Sequence, residues 1–321
     1  MTKTENNAPL LGGAAILIGS QLAIGAAAIF AKFALLGAGA VAVSALRLTI
    51  AAAIAIALSA RTKPATKMPL PHECLLAFCG LASAVHFSSW IASLNLTSVA
   101  ASTLLVSTAP VWTTLYDLLF LGRRPSMQFW IGFLAIALGA VVAVMCGATE
   151  TVVRTGAQQQ MGAILSLLGG FAFACYLIAV RTISYDYATL VIVNRTYTWS
   201  AIFLWGGVFL LHEKLPAADP TCWAGILGMS IFSQLLGHTG MNLSLKTFSS
   251  SVVALSTLLE PGLAAILALL VFHEALSVAT LLGGLLIVAG LGAVMAAKVD
   301  EYPVSTEAQP MSGMFSTLEN D

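Results

Sequence analysis

A few charged, imidazole and amide side chains interrupt otherwise long apolar runs, and their types and spacing set the chemistry open to this chain. Glu260 directly precedes Pro261. A carboxyl there would respond to protons or cations, or it would pair with an arginine. His86 lies one helical turn before Trp90, and His238 lies four residues after Gln234 and four before Asn242. Four-residue steps put Gln234, His238 and Asn242 on one helix face, which should look inward. Histidine titrates near neutrality, so the pair His86 and His238 reads either as a polar-aromatic pocket lining or as structural, hydrogen-bonded residues. Arg47 and Arg195 each stand inside an apolar run. Each is either a snorkelling or paired cation or a holder of an anionic group such as a carboxylate. A charge at the centre of such a run costs at least roughly 2.5–3.5 kcal/mol unless it faces water or a partner.

The apolar runs must position these groups. The 321 residues are 59% hydrophobic and 9% charged, with a mean hydropathy of +0.93. A soluble domain carries roughly a quarter charged residues, so the composition is that of an integral membrane protein. Lys plus Arg and Asp plus Glu both number 14, which leaves no basic footprint for nucleic acid. Apolar segments near the length needed to cross hydrocarbon as helix fall at about 11–35, 40–60, 73–94, 98–121 and 127–147, then at 161–180, 188–211, 222–244, 249–271 and 278–297. Alternating strands of the barrel type are absent. The five cysteines show no CxxC or metal-ligand spacing and read as free thiols buried in helices.

The chain repeats itself. Displaced by 151 positions, Ser98 meets Ser249, Leu104 meets Leu255, Pro110 meets Pro261, and Gly132, Ile136 and Gly139 meet Gly283, Ile287 and Gly290. The charged breaks differ: Arg123-Arg124 in the first copy, His273-Glu274 in the second. Cytoplasmic loops are enriched in Lys and Arg, so equivalent loops of opposite charge belong on opposite faces of a bilayer. Arg61, Lys63, Lys67, Arg123, Arg124, Arg181, Lys246 and Lys298 all fall on one side, against Arg154 and Lys214 on the other. The expected fold is all-α, ten transmembrane helices arranged as two inverted five-helix repeats around a central cavity, with both termini cytoplasmic. The expected organisation is a polar tail over 1–10, a first repeat over 11–147, an outer linker over 148–160, a second repeat over 161–297 and a disordered tail over 298–321. Inverted repeats with a midplane site describe secondary transporters.

Pro110 and Pro261 each lie about 12 residues into their span. Each frees the carbonyl four residues back, that of Val106 or Thr257. Such groups are tolerated in a membrane when buried in protein or facing a wet cavity, so the matched prolines read either as packing kinks or as bends around a cavity. Glycines seven apart, Gly12/Gly19, Gly162/Gly169, Gly132/Gly139 and Gly283/Gly290, should let neighbouring backbones approach. Enzyme signatures are missing: His273-Glu274 lacks the second histidine of a zinc motif, and no GxSxG or phosphate-binding glycine loop occurs. No cofactor or metal is expected.

The run from His86 through Trp90 and Thr97 to Pro110, with Gln234, His238 and Asn242, Leu259-Glu260-Pro261 and Phe272-His273-Glu274, resembles the EamA-type transporters of the drug/metabolite transporter superfamily. The resemblance covers about residues 11–297. One departure is that Arg123-Arg124 follow Gly122, where the family commonly has Gly-Glu. The resemblance implies a ten-helix inverted-repeat fold, a cavity lined mainly by spans 1–4 and 6–9, and alternating-access movement of small metabolites, often amino-acid export. By position it implies His86 and Trp90 as cavity lining in the first half, and Gln234, His238, Asn242 and Glu260 in the second. The expected function is secondary active export of amino acids or related compounds across the inner membrane. The alternatives are efflux of toxic amphipathic compounds and, from another class, a non-transporting scaffold or receptor. The implied partners are a small-molecule substrate and the lipid bilayer, with monomer and homodimer both open.

Overall fold

The computed structural model describes residues 8–59, 68–120, 126–145, 156–274 and 277–296. Among them 84% are helical and none is in a strand. In a membrane every backbone N–H and C=O must be satisfied within the chain, which selects helices for apolar segments of this length. The basic connector with Arg61, Lys63 and Lys67, the Arg123-Arg124 break, residues 146–155 and the tail from 297 lie outside the described residues.

In chain order the helices are α1 (Ala8–Gly25), α2 (Ala27–Leu35), α3 (Ala40–Ser59), α4 (Leu70–Ser93), α5 (Val99–Val106), α6 (Ala109–Phe120) and α7 (Met127–Met145). There follow α8 (Gly156–Ile183), α9 (Thr189–Leu210), α10 (Pro220–Gly228), a π-helical segment (Met229–His238), α11 (Thr239–Ser244), α12 (Ser250–Ser256), α13 (Leu259–Phe272) and α14 (Val278–Ala296). Five helical stretches, Gly12–Leu35, Ala40–Ser59, Leu70–Ser93, Gly156–Ile183 and Ser250–Phe272, are long and apolar enough to cross a membrane. The protein is a multi-pass membrane protein.

Several expected spans are interrupted. The first breaks at Ala26, the fourth at 107–108 and the ninth at 257–258. The eighth changes to i→i+5 turns at Met229 and back at Thr239. The first helix already starts at Ala8, inside the expected tail, and α8 starts at Gly156, ahead of its apolar run.

Packing relates the two halves by reciprocal contacts. Helix α4 packs on α8, and its counterpart α10–π–α11 packs on α1 and α2; α3 packs on its own counterpart α9, and α7 on its counterpart α14. The last pair shows why the matched glycines are needed. A Cβ on Gly139 would stand 2.6 Å from the Gly283 carbonyl oxygen, and one on Gly290 would stand 2.6 Å from that of Gly132. Both approaches are shorter than any side chain permits, so the two backbones meet through glycine as the sequence implied. Gly12 and Gly19 depart from this pattern, since a Cβ on either would meet nothing within 4 Å. On α1 the close contacts fall instead on Gly13, against Thr247 and Phe248, and on Gly25, against Leu263. The cysteine expectation also needs correcting: Cys79 and Cys222 are buried, but Cys74 is exposed.

Candidate functional site: a ring-lined central cavity

The helix breaks converge. Proline cannot donate to the carbonyl four residues back, and the residues that carry the two freed carbonyls, Val106 and Thr257, both line one cavity. The Thr257 carbonyl accepts a hydrogen bond from the Ser107 hydroxyl at 3.3 Å, so the break in one half satisfies the break in the other. The Val106 carbonyl lies against α8, where a Cβ on Gly170 would come within 2.7 Å of it. The breaks fall two to four residues before Pro110 and Pro261 rather than at them, because the missing N–H acts on the preceding turn. Ile24 and Ala27, either side of the Ala26 break, complete this wall.

The cavity contains about 370 Å³ of empty space, part of it open to the outside. Its walls are Ile24, Ala27, His86, Phe87, Trp90, Val106, Ser107, Phe173, His238, Thr257 and Glu260. The structure thus brings together His86, Trp90, His238 and Glu260 from the sequence-derived set. His86 is the hub of the rings. It stacks on Phe173 at 4.7 Å between centroids and on Trp90 at 6.4 Å, and meets His238 at 6.2 Å.

A tautomer follows from the packing. His86 Nδ1 lies 2.9 Å from the Gly169 carbonyl oxygen, and a carbonyl only accepts, so Nδ1 carries the hydrogen. The neutral ring then presents Nε2 as an acceptor. The indole N–H of Trp90 is buried without a hydrogen-bond partner among the described residues.

Arg47, Gln234 and Asn242 are buried but stand outside the cavity lining. The Arg47 guanidinium lies over the Phe87 ring, 4.0 Å from its centroid, and its three nitrogens have no hydrogen-bond partner among the described residues. Asn242 braces the end of the π-helical segment. Its Nδ2 donates to the His238 carbonyl at 2.9 Å, and its Oδ1 accepts from the Tyr176 hydroxyl at 2.8 Å. The Gln234 carbonyl accepts from the Tyr197 and Thr239 hydroxyls, each at 3.3 Å. The face carrying Gln234, His238 and Asn242 does look inward, and only its middle residue reaches the cavity. Arg195 is different again: half-exposed on α9, it pairs with Glu73 of α4 at 3.6 Å.

Sequence reasoning passed over Phe87 and Phe173. A signal for Phe87 existed, since it is the residue that matches His238 in the repeat. The two rings touch at 5.0 Å and 88°. Phe173 stands one turn after Gly169, and nothing in its neighbours' types marks it.

A further carboxylate, this one buried, lies outside the cavity lining. Glu274, just past α13, accepts from Lys32 of α2 at 2.5 Å and from the Val99 backbone N–H at the start of α5 at 3.1 Å. Lys32 also lies over the Phe272 ring, 5.3 Å from its centroid. One side chain thereby ties together three helices that run on from the cavity wall.

The model of the EamA-like transporter family matches residues 11–145 and 160–296. An uncharacterised transporter of Bacillus subtilis strain 168, YdfC, is 25% identical over 201 residues, or 60% of this chain and 61% of that protein. The chain thus matches about three fifths of that relative's length. A solved crystal structure of a protein superimposes with a TM-score of 0.64 at 20% identity, covering 89% of this chain and 97% of its own. At that identity the likeness is one of fold.

Proposed function

The chain belongs to the EamA-like transporter family of the drug/metabolite transporter superfamily, whose members are transporters and not enzymes, and on that premise we propose that it exports a small amphipathic metabolite, an amino acid or related compound, by alternating access. The observation that carries this reading is the ring-lined cavity between the two matched helix breaks, walled by α1, α2, α4, α5, α8, the π-helical segment and the α12–α13 turn. Ten spans in two inverted halves account for its construction. The reciprocal packing of α7 on α14 and of Phe87 on His238 supports a two-fold relation. The opposite charge of the Arg123-Arg124 and His273-Glu274 breaks supports an axis in the plane of the bilayer.

In this reading the membrane is the inner one and both termini are cytoplasmic. His86, Trp90 and His238 hold the substrate against the rings, and Glu260 couples its movement to a proton or cation. Arg47, Gln234 and Asn242 support the wall from behind. The Lys32–Glu274–Val99 cluster closes the extracytoplasmic mouth, and the broken helices supply the flexible points. The strongly apolar wall favours a second reading, efflux of toxic amphipathic compounds, and a deletion strain with altered resistance would single it out. The main reading is tested by uptake of a metabolite library into proteoliposomes, with labelling of cysteines placed at Arg123 and at His273. It predicts saturable transport and labelling from opposite faces of the bilayer. Labelling of both from one face would end the inverted arrangement.

A further inference from the structure

The polar groups of the cavity are unequal in kind. Glu260 brings a carboxylate to the wall, and His86, with its hydrogen committed to Gly169, brings an acceptor nitrogen. Among the described residues no lysine or arginine lines the cavity. The nearby guanidinium, that of Arg47, lies over the Phe87 ring and outside the lining. A carboxylate entering this space would meet the N–H donors of Trp90 and of the His238 ring, and no cation among the described lining residues. An ammonium would meet an ion partner, a nitrogen acceptor and the π-faces of aromatic rings, the arrangement that holds organic cations in aromatic cages. The Arg47 guanidinium stands behind Phe87, whereas Glu260 lines the cavity itself.

We propose that the cavity recognises its substrate by a protonated amine, held between Glu260 and the rings around His86, and that a carboxylate on the substrate is dispensable. This rests on the transport reading for its biological use, and it specifies which end of an amino acid, or which amine without an acid group, that site takes. It replaces the expectation that Arg47 attracts a substrate carboxylate.

The test is equilibrium binding to the purified full-length protein in nanodiscs, by calorimetry, with three matched probes: phenylalanine, phenethylamine and 3-phenylpropionate. Phenethylamine is expected to bind at least as tightly as phenylalanine, and 3-phenylpropionate at least about tenfold more weakly than either. In Glu260→Gln, affinity for phenethylamine should fall by about tenfold or more. Trp90→Leu, which removes a ring and leaves the carboxylate, should weaken it less, about threefold to tenfold. The comparison of probes on the unaltered protein stands even if a variant does not fold. Binding of 3-phenylpropionate as tight as that of phenethylamine would overturn the proposal, as would no binding of phenethylamine by a protein that transports another compound. Phenethylamine binding without transport of any metabolite would uphold the amine site and sink the transport reading instead.

Discussion

The Lys32–Glu274–Val99 cluster, proposed to close the outer mouth, makes a sharp prediction. Glu274 is only 6% exposed, and its two oxygens are committed to Lys32 and to the Val99 N–H. Changing Lys32 to alanine leaves a buried carboxylate with one neutral donor. Breaking a fully buried pair costs about 3–5 kcal/mol, and an exposed one is worth about 0–1 kcal/mol. The Lys32 side chain is 19% exposed, which places the loss between these limits, at about 2 kcal/mol. In the proposed cycle the three helices part when the mouth opens, so this amount comes off the closed state and shifts closed against open by roughly 30-fold. The assay uses a chain without its native cysteines, a single cysteine at Ala27 in the cavity wall, and a membrane-impermeant maleimide added from outside. Lys32→Ala should speed labelling by about an order of magnitude or more. The double exchange Lys32→Glu with Glu274→Lys should restore only part of the protection, since the Val99 N–H then lacks an acceptor. Labelling that changes less than about twofold in Lys32→Ala would show that the ion pair does not hold the mouth, and the reasoning would fail.

Three further outcomes follow from contacts elsewhere. Gly139→Leu must push α7 off α14, whose Gly283 carbonyl would stand 2.6 Å from the new Cβ; overpacking of this kind costs about 1–3 kcal/mol, read as a lower melting temperature in detergent. Asn242→Ala strands the Tyr176 hydroxyl and the His238 carbonyl, a loss of about 1–3 kcal/mol, and should reduce substrate affinity by freeing the end of the π-helical segment. Arg195→Gln removes a half-exposed partner of Glu73; stability should change by less than about 1 kcal/mol and transport should not change, which flux and melting curves on one preparation would check.

Hydropathy located the apolar segments well, because a helix in lipid must be apolar over its length and a loop need not be. It could not show where they break. Pro110 and Pro261 flagged two of the interruptions, whereas the Ala26 break is marked only by Gly25 before it, one glycine among many in the apolar runs. The π-helical segment is a change of hydrogen-bond register, which composition does not encode. Depth in a span also says little about direction. Arg47 and Arg195 looked equivalent, yet one is wholly buried against Phe87 and the other half-exposed beside Glu73. The shared face of Gln234, His238 and Asn242 was legible from four-residue spacing, whereas their division into a cavity residue and two braces needed the positions of α8 and α9. The Lys32–Glu274 pair spans 242 positions, so only the assembled helices bring it into view.

Flux through the cavity is the claim on which the account stands. The direct measurement is substrate counterflow in proteoliposomes, with the unaltered protein compared with Glu260→Gln and Trp90→Leu at equal amounts of folded protein. The account predicts saturable counterflow of at least one amine-bearing metabolite, reduced about tenfold or more by Glu260→Gln. Counterflow that both variants leave unchanged would contradict it, because the substrate would then pass by a route these walls do not form.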